Sequence, residues 1–304
     1  MKVDKSFNWN VANFGQLPAE NMRIAVIGGT GGLGRALSHS LAKQGASVTV
    51  VGRTFRDQSL PGIRFVQGDL SLMSEAVRVV DELQVEQLDA LVFTTGIFAA
   101  SQRQETTEGL EEDMAVSYLS RLTILRLAAP RLGTERQSKA FKPRVFIMGY
   151  PGSGQTGTDL DDLNAERQYK SFAVHMNTVA GNEMLVVDAA KRYPHLNVFG
   201  LNPGLVKTNI RDNFLGKGSL KSKIAETLIG FFTPTAEQYA ARISPLLLAR
   251  ALETHTGTLF NRKGQAIHPS AGLTPSHVSK FLKGSEALVA RTGVQLPTET
   301  STAA

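Results

Sequence analysis

Short apolar runs alternate with amphipathic stretches along most of this chain. The runs 24–27, 47–51, 63–67, 90–94, 144–148 and 197–201 have the length and β-branched content of buried strands. Between them, segments 35–44, 74–83, 110–131 and 174–192 carry apolar positions three and four apart, the period of a helix with one buried face. Strand and helix in alternation predict an α/β fold. It is a Rossmann-like doubly wound parallel sheet, a single domain with helices on both faces. Such a sheet takes ligands beyond the carboxyl ends of its strands. The domain is placed at 22–291, after an N-terminal extension, 1–21, and before a C-terminal tail, 292–304. Both ends read as peripheral and without fixed structure. An apolar stretch at 224–232, inside 209–232, reads as a core helix or as a lid over a substrate pocket.

Composition narrows the partners. No stretch of the 304 residues approaches ~20 consecutive apolar positions, so no membrane span is expected. The first 21 residues have mixed charge and no apolar segment of the secretory kind, which leaves the cytoplasm as the default location. There is no cysteine, hence no disulfide and no thiolate nucleophile. The six histidines show no close pairing, so no metal site is expected. The formal charge of +6 is spread along the chain rather than gathered with aromatics. That argues against nucleic acid and fits an anionic cofactor.

The chemistry concentrates after the first apolar run. Gly28, Gly32 and Gly34 stand in a G-x-x-x-G-x-G spacing, with Thr30, Gly31 and Leu33 between them, and a helix-forming stretch follows. Strand, tight turn and helix start together form a cradle for a dinucleotide pyrophosphate. Past the second run no carboxylate stands ready for a ribose hydroxyl. Arg53 stands there instead, with Arg35 just beyond the glycine turn. Guanidinium groups suit a 2′-phosphate, so the expected cofactor is NADP(H). Asp69, followed by Leu70, ends the third run, where a short acid can accept from an adenine amino group or make an ordinary turn.

With these residues in register, the chain resembles the short-chain dehydrogenase/reductase family over about residues 22–265. The glycine turn is similar to the family's TGxxxGxG, with Ile27 in place of the threonine. Thr94, Thr95 and Gly96 occupy the place of its Asn-Asn-Ala-Gly segment, which begins at Phe93 here. The stretch with Asn202, Pro203, Gly204, Val206 and Thr208 resembles the Pro-Gly motif that holds the nicotinamide end. The resemblance implies a cofactor-dependent oxidoreductase and a small-molecule substrate. It also implies a homo-oligomer built on segments 110–131 and 174–192, of a stoichiometry that the sequence does not select.

The same register exposes departures. The family's catalytic tyrosine falls on His175, its lysine on Val179, its serine on Tyr150 and its helix-four asparagine on Ser117. An ordinary imidazole titrates near 6.5 and needs no lysine to move a proton. His175 or Tyr150 is therefore the candidate proton donor, with Ser117 beside them and with Ser153 and Tyr169 as loop alternatives. The expected function is NADPH-dependent oxidation or reduction of a carbonyl, an alcohol or an activated double bond in a moderately large apolar metabolite. The alternatives are a non-redox enzyme (isomerase, cyclase or dehydratase) and an inactive NADP-binding protein.

Overall fold

The computed structural model describes residues 1–9, 15–57, 60–204 and 234–297. The proposed lid at 209–232, with Val206 and Thr208, lies outside them. Eight strands form one sheet in the order β3-β2-β1-β4-β5-β6-β7-β8. They are β1 (Arg23–Ile27), β2 (Ser47–Gly52), β3 (Ile63–Gln67), β4 (Ala90–Phe93), β5 (Arg144–Met148), β6 (Asn197–Leu201), β7 (Leu259–Phe260) and β8 (Ala266–Ile267). Strands β1 to β7 are parallel and only β8 runs against its neighbour. The chain winds outward from β1 to β3, then crosses back to β4 beside β1. This reversal opens a crevice at the carboxyl ends of β1 and β4, where a ligand has access to both halves.

The helices are α1 (Gly32–Lys43), α2 (Met73–Leu83), α3, α4 (Ser171–Arg192), α5 (Ala236–Leu247) and α6 (Pro275–Arg291). Helix α3 runs over 112–128 and is continuous through Glu112–Met114, a π-helical turn at Ala115–Leu119, and Ser120–Ala128. One core packs α2, α3, α4 and α6 against the sheet, and a second packs α1 and α5 against the other face. Strands β4, β5 and β6 are buried along their whole length, as runs covered on both faces must be. No helix among the described residues is long and apolar enough to cross a membrane.

One expectation is corrected. Residues 1–9 are not loose: Val3 bridges Ile267, the Asp4 amide donates to the Ala266 carbonyl at 2.9 Å, and the His268 amide donates to the Lys2 carbonyl at 3.0 Å. Phe7 stacks on His255 with centroids 3.7 Å apart, and Trp9 donates to the Gly264 carbonyl. The open edge of β8 demanded backbone partners, and this arm supplies them. The helix pair α3 and α4, expected to carry a homo-oligomer, also has a partner within the chain. Helix α6 covers it, with Phe281 edge-on to Tyr118, the Tyr118 hydroxyl on Ser285 at 3.0 Å, and Arg126 bridging Asp188 and Glu286.

Candidate active site

The glycine turn is built by close approach. Gly28 has φ +87°, and a Cβ there would stand 2.6 Å from the Thr95 amide nitrogen. A Cβ on Gly34 would stand 2.3 Å from both the Gly28 carbonyl oxygen and Thr94 Oγ1. Thr94 Oγ1 donates to the Ile27 carbonyl at 2.9 Å, which ties the loop after β4 to the turn after β1. These two glycines therefore serve packing between loops. Gly31 is different, because a Cβ there would meet nothing within 4 Å. It is the N-cap of α1 and supplies no side-chain cap, which leaves the first-turn N–H groups without that partner. Residues Thr30 to Gly34 thus form a cradle that fits a pyrophosphate.

Arg53 is exposed and makes no ion pair with a described residue. It opens on a groove of about 440 Å³ that it shares with Gly68, Asp69 and Arg78. Asp69 Oδ1 accepts from the Ser71 amide at 3.1 Å, and Leu70 is buried behind it. Arg35 is corrected as a phosphate ligand. Its guanidinium is held by Asp57, with Nη2 at 2.6 Å and Nε at 2.8 Å, and His39 meets the same carboxylate at 3.1 Å. The Arg35 partner holds the Asp57 carboxyl down at about 2. Asp57 lies beyond the strand end, so the sequence pattern did not pair it with Arg35.

At the other end of the crevice, α3 and α4 meet. Asp113 is fully buried, and its carboxylate accepts from His175 Nδ1 at 2.8 Å and from Ser117 Oγ at 2.5 Å. Ser117 Oγ in turn accepts from the Ile97 amide at 3.0 Å. The Phe98 ring lies 4.4 Å from the imidazole and gives the pocket an apolar wall. With Nδ1 committed to Asp113, His175 keeps Nε2 for a ligand. The π-turn lies over Ser117, and such turns recur at functional sites. One turn beyond, buried Arg121 donates to the carbonyls of Thr95 and Met148 and to Asn182 Oδ1. Asn182 Nδ2 reaches the Ser117 carbonyl at 2.9 Å.

The remaining candidates sort by their partners. Tyr150 lies at the end of β5, half-buried, with its hydroxyl unbonded to any described residue. Tyr169 is committed: its hydroxyl donates to the Ala100 carbonyl at 2.6 Å, and burial pushes it up to about 12. Ser153 Oγ is buried without a partner. In the Pro203 loop, Gly204 has φ +66° and its amide donates to Asn202 Oδ1 at 2.9 Å. Asn202 Nδ2 holds the Pro151 carbonyl at 2.7 Å, which draws the loops after β5 and β6 together. Sequence reasoning missed Asp113 and Arg121. The available signal was polar residues at 113, 117 and 121 on one face of an otherwise apolar helix.

Comparison with known proteins agrees with this architecture. Residues 22–140 match the family model described as short chain dehydrogenase. Over 292 residues the chain is 52% identical to the uncharacterized oxidoreductase YKL107W of Saccharomyces cerevisiae, covering 95% of this chain and 94% of that one. A short-chain dehydrogenase/reductase from Serratia marcescens superposes with a TM-score of 0.58 at 20% identity, over 82% of this chain and 99% of its own. The RhlG/NADP active-site complex of Pseudomonas aeruginosa gives 0.59 at 20% identity, over 81% and 98%. The chain belongs to the short-chain dehydrogenase/reductase family. Its activity is of the oxidoreductase kind.

Proposed function

We propose that this protein is an NADP(H)-dependent oxidoreductase that interconverts a carbonyl and an alcohol in a moderately large apolar metabolite, with His175 as proton donor. The observation that carries the reading is the 2.8 Å bond from His175 Nδ1 to the fully buried Asp113 carboxylate. Gly31, the first turn of α1, Arg53 and Asp69 would hold the cofactor's phosphates and adenosine. Thr94, Thr95, Gly96, Pro203 and Gly204 would hold its nicotinamide end. RhlG, a member of the same fold, binds NADP. When bound, the nicotinamide supplies or accepts the hydride.

The chain's own residues handle the proton. Protonated His175 donates from Nε2 to the substrate oxygen as the carbonyl becomes an alcohol, and neutral His175 takes that proton in the reverse direction. The Nδ1 proton stays on the ring, in the hydrogen bond to Asp113. Asp113 fixes the tautomer and the ring orientation, the role a buried carboxylate plays behind a catalytic imidazole. Ile97 and Phe98 exclude water from one side.

The test is a titration of the purified protein with NADPH, NADP⁺ and NADH, followed by a carbonyl screen on wild type, H175Q and Y150F. Expected are preferential NADPH binding, carbonyl-linked loss of nicotinamide absorbance, and its loss in H175Q alone. No binding of any of the three nucleotides would sink the proposal. Product formed without change in nicotinamide absorbance would replace it with a non-redox reaction.

A further inference from the structure

Among the described residues four arginines are buried: Arg121, Arg126, Arg136 and Arg144. Three of them have a carboxylate in reach. Arg126 pairs with Asp188 and Glu286 at 2.8 Å, Arg136 with Asp89 at 3.5 Å, and Arg144 with Glu253 at 3.6 Å. Arg121 forms no ion pair with a described residue. Its guanidinium is held by neutral oxygens only, those of Thr95, Met148 and Asn182, and its Nε has no partner. A buried charge with no carboxylate bonded to it is costly to desolvate.

Its surroundings indicate where that charge acts. A Cβ added at Gly96 would lie 3.7 Å from both Arg121 Nη2 and Ser117 Oγ, so the two groups flank the same backbone. Asn182 links the guanidinium to the Ser117 carbonyl, and the Ser117 hydroxyl links to Asp113 and so to His175. Burial draws Arg121 down to about 9, and Asp113 is the charge that opposes this.

We propose that Arg121 is a positioning residue for proton transfer at His175: its buried positive charge acts on the Asp113–His175 pair, to which Asn182 and Ser117 link it. The inference rests on the proton-donor reading above. In one buried cluster a fixed cation disfavours a second cation, and a carboxylate favours it. Arg121 keeps its own protons throughout. Charged or titratable groups that share this region with Asp113 are Glu111 and Glu112 at the start of α3, with Arg103 and Tyr169 from loops. None of them bonds to the imidazole.

The experiment follows the imidazole of His175 by NMR across pH in the full chain, with its signal assigned by loss in H175Q. Wild type is compared with R121Q, R121M and R121K. In R121Q and R121M the midpoint should rise by about half a pH unit to one unit, and in R121K it should stay within about 0.2 of wild type. Turnover should fall about tenfold to a hundredfold in the neutral variants and be partly restored in R121K. A folded R121Q with the wild-type midpoint overturns the proposal. So does failure of both neutral variants to fold while R121K folds, since Arg121 would then be a structural rivet. The titration needs neither substrate nor cofactor, so absence of nicotinamide-linked turnover would remove the reductase reading and leave the charge effect decided.

Discussion

His175 and Asp113 form the pair that the next variants should address. D113N keeps the shape of the side chain but removes the charge behind the imidazole. Its kcat should fall about a hundredfold or more, with NADPH affinity within about twofold of wild type. Stopped-flow turnover and nicotinamide fluorescence separate the two quantities, and an undiminished kcat would exclude Asp113 from the reaction. At the adenosine end, R53E should weaken NADPH binding by about tenfold to a hundredfold and leave NADH binding little changed. Equal loss of both nucleotides would place Arg53 away from the 2′-phosphate. His175 was legible in the sequence because it falls where the family has its tyrosine. Asp113 was not, because Glu111, Glu112 and Asp113 together read as an ordinary acidic first turn of a helix. Only the packing of α4 against α3 shows that one of the three faces an imidazole.

At the level of elements, the turn into α1 separates two uses of glycine. G34A drives a methyl group into the Gly28 carbonyl and Thr94, and should destabilise the fold by about 3 kcal/mol. G31A meets nothing and should cost about 1 kcal/mol or less, while weakening nucleotide binding on the open side of the cradle. Denaturant midpoints and nucleotide titration test both, and similar stability losses in the two variants would refute the distinction. The start of α3 carries a pH signature. Glu111 caps the helix by accepting from the Met114 amide at 2.7 Å, yet burial pushes its carboxyl up to about 7. Unfolded, it titrates near 4.5. Between these values the native state holds a proton that the unfolded chain has released, so Glu111 makes stability fall as pH rises through that window. In E111Q the urea midpoint should be flatter across it and higher on the alkaline side. The six longer strands were legible because each is a compact apolar run. Strands β7 and β8 have two residues each, too few to show a period.

For the whole molecule, α6 decides how the surface is used. It lies on α3 and α4 and buries Phe281 and Leu282 in the main core, so that face is already occupied by the chain itself. Any homo-oligomer that light scattering finds should leave hydrogen exchange in α3 and α4 as it is in the dilute protein. A dimer whose hydrogen-exchange protection maps to α3 and α4 would contradict this. The family resemblance pointed to that face, and nothing in segments 110–131 and 174–192 themselves shows that α6 packs on it. The arm along β8 has a consequence of timing. Trp9 and its partner Gly264 are 255 positions apart, so on the ribosome the arm waits for nearly the entire domain before it finds its edge. Until then β8 has β7 on one side and an open edge on the other, so closing that seam belongs late in folding.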